Sequence, residues 1–464
     1  MNTCPRPSLL LFLFFILTSS SPAQTSLREK IGQMIMVTFT GDSLEKRTPS
    51  IDTLLADIAD KRIGGVIFFT WSGNLKSPAQ IRHLTDGLQQ RTSAPLLIAT
   101  DQEGGNVARL SASNGFAATP TAYSMGTVVN TEANTRSIAA TMAGWFEDTG
   151  INMNLAPVVD LNVNPTSPAI GAYGRSFSAA PTDVTNHASW FMEEFHKRNL
   201  ITTLKHFPGH GSAVGDSHLG FTDVTTTWSS AELQPYQDLI GLGAVRAIMT
   251  AHVFNAGLDT SYPATLSRAT MTDLLRTQLG FQGVVVSDAM SMAAISAEFG
   301  FDESIRLAVN AGVDILLYTR NLENDGSSLA GKLVNLIEAD VVSGEIPLQR
   351  IDESYARIML LKQTFLTSVA LYADRDVPGS FTVGSFPNPF NNSTTIQFSL
   401  PERGHFTLRI FDLLGREISL IHDGPMNAGH ATMRWSPDNA ASGTYIVRAD
   451  LNGRPATHRL LYIR

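Results

Sequence analysis

The sequence predicts an α/β protein: a (β/α)8 TIM-type barrel followed by a small all-β sandwich of immunoglobulin-like form. Three observations carry this expectation. Eight short apolar runs alternate with amphipathic stretches between residues 33 and 319. Most of those runs are continuously apolar, as suits parallel strands covered on their outer face. After Val383 the pattern changes to short alternating runs separated by turn residues, the mark of a sandwich.

The expected barrel strands are QMIMVTF (33–39), GGVIFFT (64–70), PLLIATD (95–101), INMNLAPVVD (151–160), LITTLKHF (200–207), AIMTAHV (247–253), GVVVSDA (283–289) and VDILLYT (313–319). Helical stretches such as SIDTLLADIADKR, TRSIAATMAGWFEDTG and TMTDLLRTQLG lie between them, the last two stopping at Gly150 and Gly280. An open doubly wound sheet is the competing arrangement. It would usually carry a glycine-rich phosphate loop after its first strand, and MVTFTGDS has no such fingerprint. The helix-like LQRIDESYARIMLLKQTFL closes the region. A linker rich in Gly, Pro and Asn then leads to TTIQFSL, FTLRIFD, ATMRW, GTYIVRAD and HRLLYIR. The expected divisions are a signal peptide (1–23), a barrel (24–372), a linker (373–385) and a sandwich (386–464).

Composition removes several classes of function. The net charge is −8 and no basic run is interleaved with aromatics, so nucleic acid is not an expected partner. Arg6, the apolar run Leu9 to Leu17 and the small residues Ser21 to Ala23 follow the order of a secretory signal; the run is too short to span a bilayer. Cleavage near Ala23 would remove Cys4, the only cysteine. The mature chain would then have no disulfide, no thiolate metal site and no integral membrane segment.

Chemistry-bearing residues cluster at the ends of the expected strands, where a barrel builds its functional face. The third strand delivers Asp101, Glu103 and Arg109; the loop after the fourth carries Arg175; the fifth delivers Lys205 and His206; the sixth and seventh end in His252 and Asp288. Singly, each has a plainer reading. Asp101 and Asp288 could cap helices, His252 could be a core histidine, and the arginines could be structural ion-pair partners. Convergence from five strands favours a catalytic face.

The stretch KHFPGHGSAVGDSHLG (205–220) holds three histidines. His206, His210, His218 and Asp216 could be drawn as zinc ligands, but HExxH spacing is missing. A solvated loop is a second reading. Acid/base chemistry is the third: Asp216, two residues before His218, can orient the imidazole and favour its protonated form. A proton donor facing a carboxylate such as Asp288 is what cleavage of a glycosidic bond requires.

These motifs resemble glycoside hydrolase family 3, specifically the NagZ-type β-N-acetylhexosaminidases. IATDQEGGNVARL, GAYGRSFS, LKHFPGHG, GDSHLG, AIMTAHV and GVVVSDAMSM occur in the expected order. The resemblance implies a retaining exo-β-N-acetylhexosaminidase that needs no cofactor or metal and acts on a small carbohydrate, through a covalent glycosyl-enzyme. Asp288 matches the nucleophile, His218 the general acid/base and Asp216 its dyad partner. Asp101, Arg109, Arg175, Lys205 and His206 match residues that bind the terminal sugar. Asn106 stands where many relatives have arginine, and Ala289 where some have a second aspartate. Chitooligosaccharides and peptidoglycan fragments are the implied substrates. A β-N-acetylglucosaminide phosphorylase and a catalytically weak surface glycan-binding protein are the alternatives.

FPNPFNNSTTIQFSLPERGHFTLRIFDLLGREI, with Trp435 and SGTYIVRAD, resembles a type IX secretion C-terminal sorting domain; a carbohydrate-binding or spacer module is the plainer alternative. With the signal peptide, this resemblance implies engagement of the type IX machinery. The enzyme would be secreted or held at the surface, beyond the outer membrane of a Gram-negative bacterium.

Overall fold

Unbroken apolar runs become the eight parallel strands of a closed barrel. The computed structural model describes residues 25–217, 219–366, 381–386, 388–391, 393–402, 404–426, 429–437 and 440–463. The expected signal peptide, most of the expected linker and His218 lie outside the described residues. The barrel strands are β1 Ile35–Val37, β2 Gly65–Ile67, β3 Leu97–Thr100, β4 Met153–Asn154, β5 Ile201–Phe207, β6 Ala247–Thr250, β7 Val284–Val286 and β8 Leu316–Tyr318. Each pairs in parallel with its sequence neighbours, and β1 pairs with β8. A parallel bridge between Val286 and Ile315, with Ile315 N donating to Val285 O, closes the ring. An open doubly wound sheet is thereby set aside.

β4 is shorter than its apolar run suggests. Pro157 has no N–H to give to a ladder, so pairing breaks after Asn154 and resumes at Val158 opposite Lys205. Val159 N still donates to Lys205 O, and Asp160 follows it at the barrel mouth.

Helices α1 Leu27–Gln33, α2 Pro49–Ala59, α3 Pro78–Gln89, α4 Glu132–Thr149, α5 Pro181–His196, α6 Gln234–Gly241, α7 Ala269–Gln278 (wound as a π-helix), α8 Phe301–Ala311, α9 Leu329–Ser343 and α10 Leu348–Phe365 accompany the strands. Their starts follow ordinary capping chemistry. Thr48 and Ser77 accept the N–H groups of Ile51 and Gln80, and each precedes a proline at the first helical position. Gly150 ends α4 in the left-handed region, as its place in the sequence predicted.

The N-terminal end of the barrel is tied by one buried carboxylate. Asp314, just before β8, accepts from Arg276 Nη2 (2.6 Å), Arg350 Nη2 (2.6 Å), Ser354 Oγ (2.8 Å), Val285 N (2.9 Å) and Arg357 Nη1 (3.2 Å). Burial alone would raise its pKa, but the three guanidiniums outweigh burial and hold it below the usual carboxylate range. Nearby, Lys362 of α10 donates to Gln33 Oε1 (2.6 Å) and Gly64 O (2.8 Å), and burial pushes it down to about 7.

The C-terminal segment folds as two antiparallel sheets. β9 Thr382–Phe386, β10 Thr394–Leu400 and β13 Gly429–Trp435 form one; β12 Glu417–Met426, β11 Gly404–Asp412, β14 Gly443–Leu451 and β15 Arg454–Tyr462 form the other. Alternation along β10 and β14 sends Ile396, Phe398, Leu400, Tyr445, Val447, Ala449 and Leu451 into a shared core, where Phe398 stacks on Phe406 with centroids 4.4 Å apart. Among the described residues no helix is long and apolar enough to cross a membrane.

Replacing Asp314 by Asn should lower unfolding stability by about 3–5 kcal/mol, because three buried guanidiniums lose their counter-charge. The urea midpoint of the purified variant checks this, and a midpoint equal to wild type would show the ion cluster to be dispensable.

Candidate active site

The barrel mouth is lined by a row of charges of alternating sign. It starts where Asp101 leaves β3. A short hairpin, Gln102–Gly104 against Val107–Ala108, folds the chain back so that Arg109 N reaches Asp101 O at 3.2 Å. The turn requires the two glycines of DQEGGN: both have positive φ, and a Cβ on Gly104 would lie 2.3 Å from Pro120 O, one on Gly105 2.2 Å from Thr121 Cγ2. Arg109 Nη2 comes to stand 3.5 Å from Asp101 Oδ2, with its guanidinium 5.7 Å above the Phe69 ring.

Lys205, inside β5, sets its ammonium between Asp101 Oδ1 (2.8 Å) and Glu103 Oε1 (2.7 Å). Glu103 is gripped on its other side by Arg175, whose Nε and Nη2 each donate at 2.8 Å in a two-pronged contact. Arg175 Nη1 donates to Ala169 O (2.9 Å) and Nη2 to His206 Nε2 (3.3 Å). His206 Nδ1 in turn donates to Asp160 Oδ2 at 2.7 Å. With Nδ1–H committed to a carboxylate, the Nε2 lone pair is left to accept from arginine, which defines the tautomer.

The protonation states follow from these neighbours. Burial would raise Glu103, but Arg175 and Lys205 outweigh it and hold the carboxyl well below its ordinary range. Burial would lower Lys205, and Asp101 and Glu103 reverse that, so its pKa is raised. Asp160, fully buried, is lowered because His206 and its other partners offset desolvation. The charges of Glu103, Lys205 and Asp160 are thereby fixed near neutrality.

Above the row opens a cavity of about 470 Å³, a size suited to a small ligand. Asp101, Arg109, Arg175, Lys205 and His206 line it together with Asp216 and Asp288. Asp288 stands two residues past β7; its N–H reaches Thr250 Oγ1 (3.4 Å), and its Oδ1 accepts Ala289 N (2.7 Å). Asp216 belongs to the loop between β5 and α6. The structure therefore brings seven of the eight expected site residues to one cavity, and the eighth, His218, lies outside the described residues. His252 does not line the cavity. It is buried, bonded to Thr265 Oγ1 (2.7 Å) and Ala289 O (3.1 Å), and so braces the backbone beside Asp288.

The sequence marks Glu103 only as a strand-end acid with no assigned role, and Asp160 and Glu232 are not among the expected site residues. Glu103 occurs in the same motif as Asp101, and its central place depends on Arg175, 72 residues away. Asp160 ends the PVVD run at the mouth of β4, the same signal that marks Asp101 and Asp288. Glu232 carried no signal: it lies in the short helical turn Ser230–Leu233, where Oε2 accepts Gly211 N at 3.1 Å and so holds the root of the Asp216 loop. Burial pushes Glu232 up to about 7, with Ser212 and backbone N–H groups opposing.

A parallel barrel whose carboxyl-end mouth joins paired carboxylates to a sugar-sized, charge-lined cavity is the architecture of a glycoside hydrolase. The chain belongs to glycosyl hydrolase family 3: residues 26–361 match the family's N-terminal domain. Residues 385–463 match the secretion system C-terminal sorting domain, in agreement with the resemblance read from FPNPF. The chain is 34% identical over 385 residues to beta-hexosaminidase A of Pseudoalteromonas piscicida, covering 76% of this chain but only 63% of that protein. It is 36% identical over 296 residues to the beta-hexosaminidase of Tolumonas auensis, covering 60% of this chain and 85% of that one. Among solved structures, a family 3 beta-N-acetylglucosaminidase from Paenibacillus sp. superimposes with a TM-score of 0.68 at 34% identity, over 74% of this chain and 64% of that one.

Glu232 generates a pH prediction. Its folded pKa is raised from 4.5 to about 7, so its contribution to stability is full below about pH 4.5 and is lost as pH rises through 7. Glu232→Gln cannot ionise yet keeps an oxygen for Gly211 N–H. It should flatten the fall in wild-type stability between pH 5 and 8, by at most about 3 kcal/mol, in urea titrations at each pH. Parallel curves for the two proteins would exclude the assignment.

Proposed function

We propose that this chain is a retaining exo-β-N-acetylhexosaminidase that removes terminal β-linked N-acetylglucosamine from chitooligosaccharides or peptidoglycan fragments. The observation that supports this reading most is the shared cavity of Asp288 and Asp216, which reach it from β7 and from the loop after β5, with the charged row of β3 to β5 beside them. One carboxylate is available to the anomeric carbon, and the other stands next in the chain to Ser217 and then His218.

In this reading Asp288 attacks the anomeric carbon while His218, kept protonated by Asp216, gives its proton to the departing oxygen. The bond to the leaving sugar breaks as the glycosyl–Asp288 ester forms. Water, deprotonated by the now neutral His218, then hydrolyses the ester, and two inversions give retention. Asp101, Arg109, Lys205, Arg175 and His206 hold the terminal sugar. Because Lys205 and Arg175 are already positioned by Glu103, their N–H groups need no reorganisation when the sugar ring distorts toward the oxocarbenium-like transition state. Two relatives are named as beta-hexosaminidases and a third as a beta-N-acetylglucosaminidase, which supports the choice of sugar. The sorting domain supports handling by type IX secretion and work at or beyond the cell surface.

Asp288→Ala should abolish turnover of chitobiose, a loss of about 10³-fold or more; near wild-type rates in a folded variant would remove the nucleophile. His218→Ala should depress chitobiose turnover much more than that of a dinitrophenyl glycoside, whose leaving group needs no proton. Wild-type enzyme should release free N-acetylglucosamine at the same rate with and without inorganic phosphate. A sugar phosphate as product would identify a phosphorylase, and no turnover at all would favour a glycan-binding protein.

A further inference from the structure

Of the three histidines in KHFPGHGSAVGDSHLG, His206 belongs to the charged row and His218 is the proposed proton donor. His210 has neither role, does not line the cavity, and is 2% exposed. Its surroundings assign it a different one.

The first half of this loop is a fixed foot. Asp160 Oδ1 accepts His210 N at 2.8 Å, from the carboxylate that also holds His206. Glu232 Oε2 accepts Gly211 N at 3.1 Å, and Trp228 Nε1 donates to Pro208 O at 3.1 Å. From this foot the His210 side chain reaches the second half, with Nε2 2.9 Å from Ser217 Oγ. Ser217 is itself 1% exposed. It stands in the chain between Asp216, which lines the cavity, and His218. A bond to Ser217 thus ties the foot directly to the residue that follows Asp216. Burial lowers His210 to about 4, so at neutral pH it carries no charge to compete for Asp216.

We infer that His210 is a positioning residue: through its bond to Ser217 it fixes the chain beside Asp216 at the cavity, and so serves the proton donation assigned to the next residue in sequence, His218. This rests on the reading of Asp216 and His218 as the acid/base device. A bond acting through proton donation leaves a signature that general loss of packing does not, namely a dependence on how badly the leaving group needs a proton.

The experiment compares His210→Leu, Ser217→Ala, their combination and His210→Gln on chitobiose and on a dinitrophenyl N-acetylglucosaminide. Each single variant should lose about 10-fold or more in kcat/KM on chitobiose, the rate equivalent of one hydrogen bond, and several-fold less on the dinitrophenyl glycoside. The double variant should be no worse than the poorer single one, since both remove the same bond. Gln, which can place an amide near the Nε2 position, should recover most of the loss. Equal losses on both substrates, or additive losses in the double variant, would overturn the inference. Should His210→Leu fail to fold, Ser217→Ala carries the test alone, because it deletes one oxygen and leaves the imidazole packed. His218→Ala run alongside separates the two levels. If it lacks leaving-group dependence, the acid/base reading itself fails; if it has that dependence and Ser217→Ala does not, only the strut fails.

Discussion

Mutual neutralisation inside a buried row of charges is the constraint on which the site depends. Arg109, Asp101, Lys205, Glu103 and Arg175 succeed one another with alternating sign and His206 links Arg175 to Asp160, most of them nearly hidden from water. Desolvating any one of them alone would be prohibitive, so each tolerates burial only because its neighbours remain. Rigidity follows from the same fact. Neither Lys205 nor Arg175 can swing away without stranding Glu103. The groups proposed to grip the sugar are therefore held in place beforehand, which is the condition for electrostatic preorganisation.

Barrel topology makes that row possible. Its members come from β3, β4 and β5 and the loops that follow them, which are adjacent in the ring, whereas Asp288 comes from β7 on the far side. Under the proposed reading, a sugar seated on the row would span the mouth toward Asp288. Just past the last bond of this edge, from Val159 N to Lys205 O, Asp160 turns its carboxylate to His206 and His210.

Much of this was legible in the residues themselves. Continuous apolar runs marked eight strands, and Asp101, Lys205, His206 and Asp288 stood at their ends, where period and position alone single them out. The partners of those residues were harder to read. Glu103 is an ordinary acidic residue until Arg175 folds back onto it, and Glu232 is a helical-turn glutamate until the loop at Gly211 packs against it. Both depend on contacts between segments far apart in the chain, for which no local pattern exists. His210 was visible as a member of a histidine-rich loop, yet its direction, inward to Ser217 instead of toward the cavity, is a property of the packed loop alone.

The hub at Asp314 lies at the opposite end of the barrel from all of this, drawing α7, α10 and β7 together through side chains that do not line the cavity. Rigidity of the scaffold and character of the mouth are therefore set by different residues on different faces. The upper loops can therefore change while resistance to unfolding is guarded from beneath.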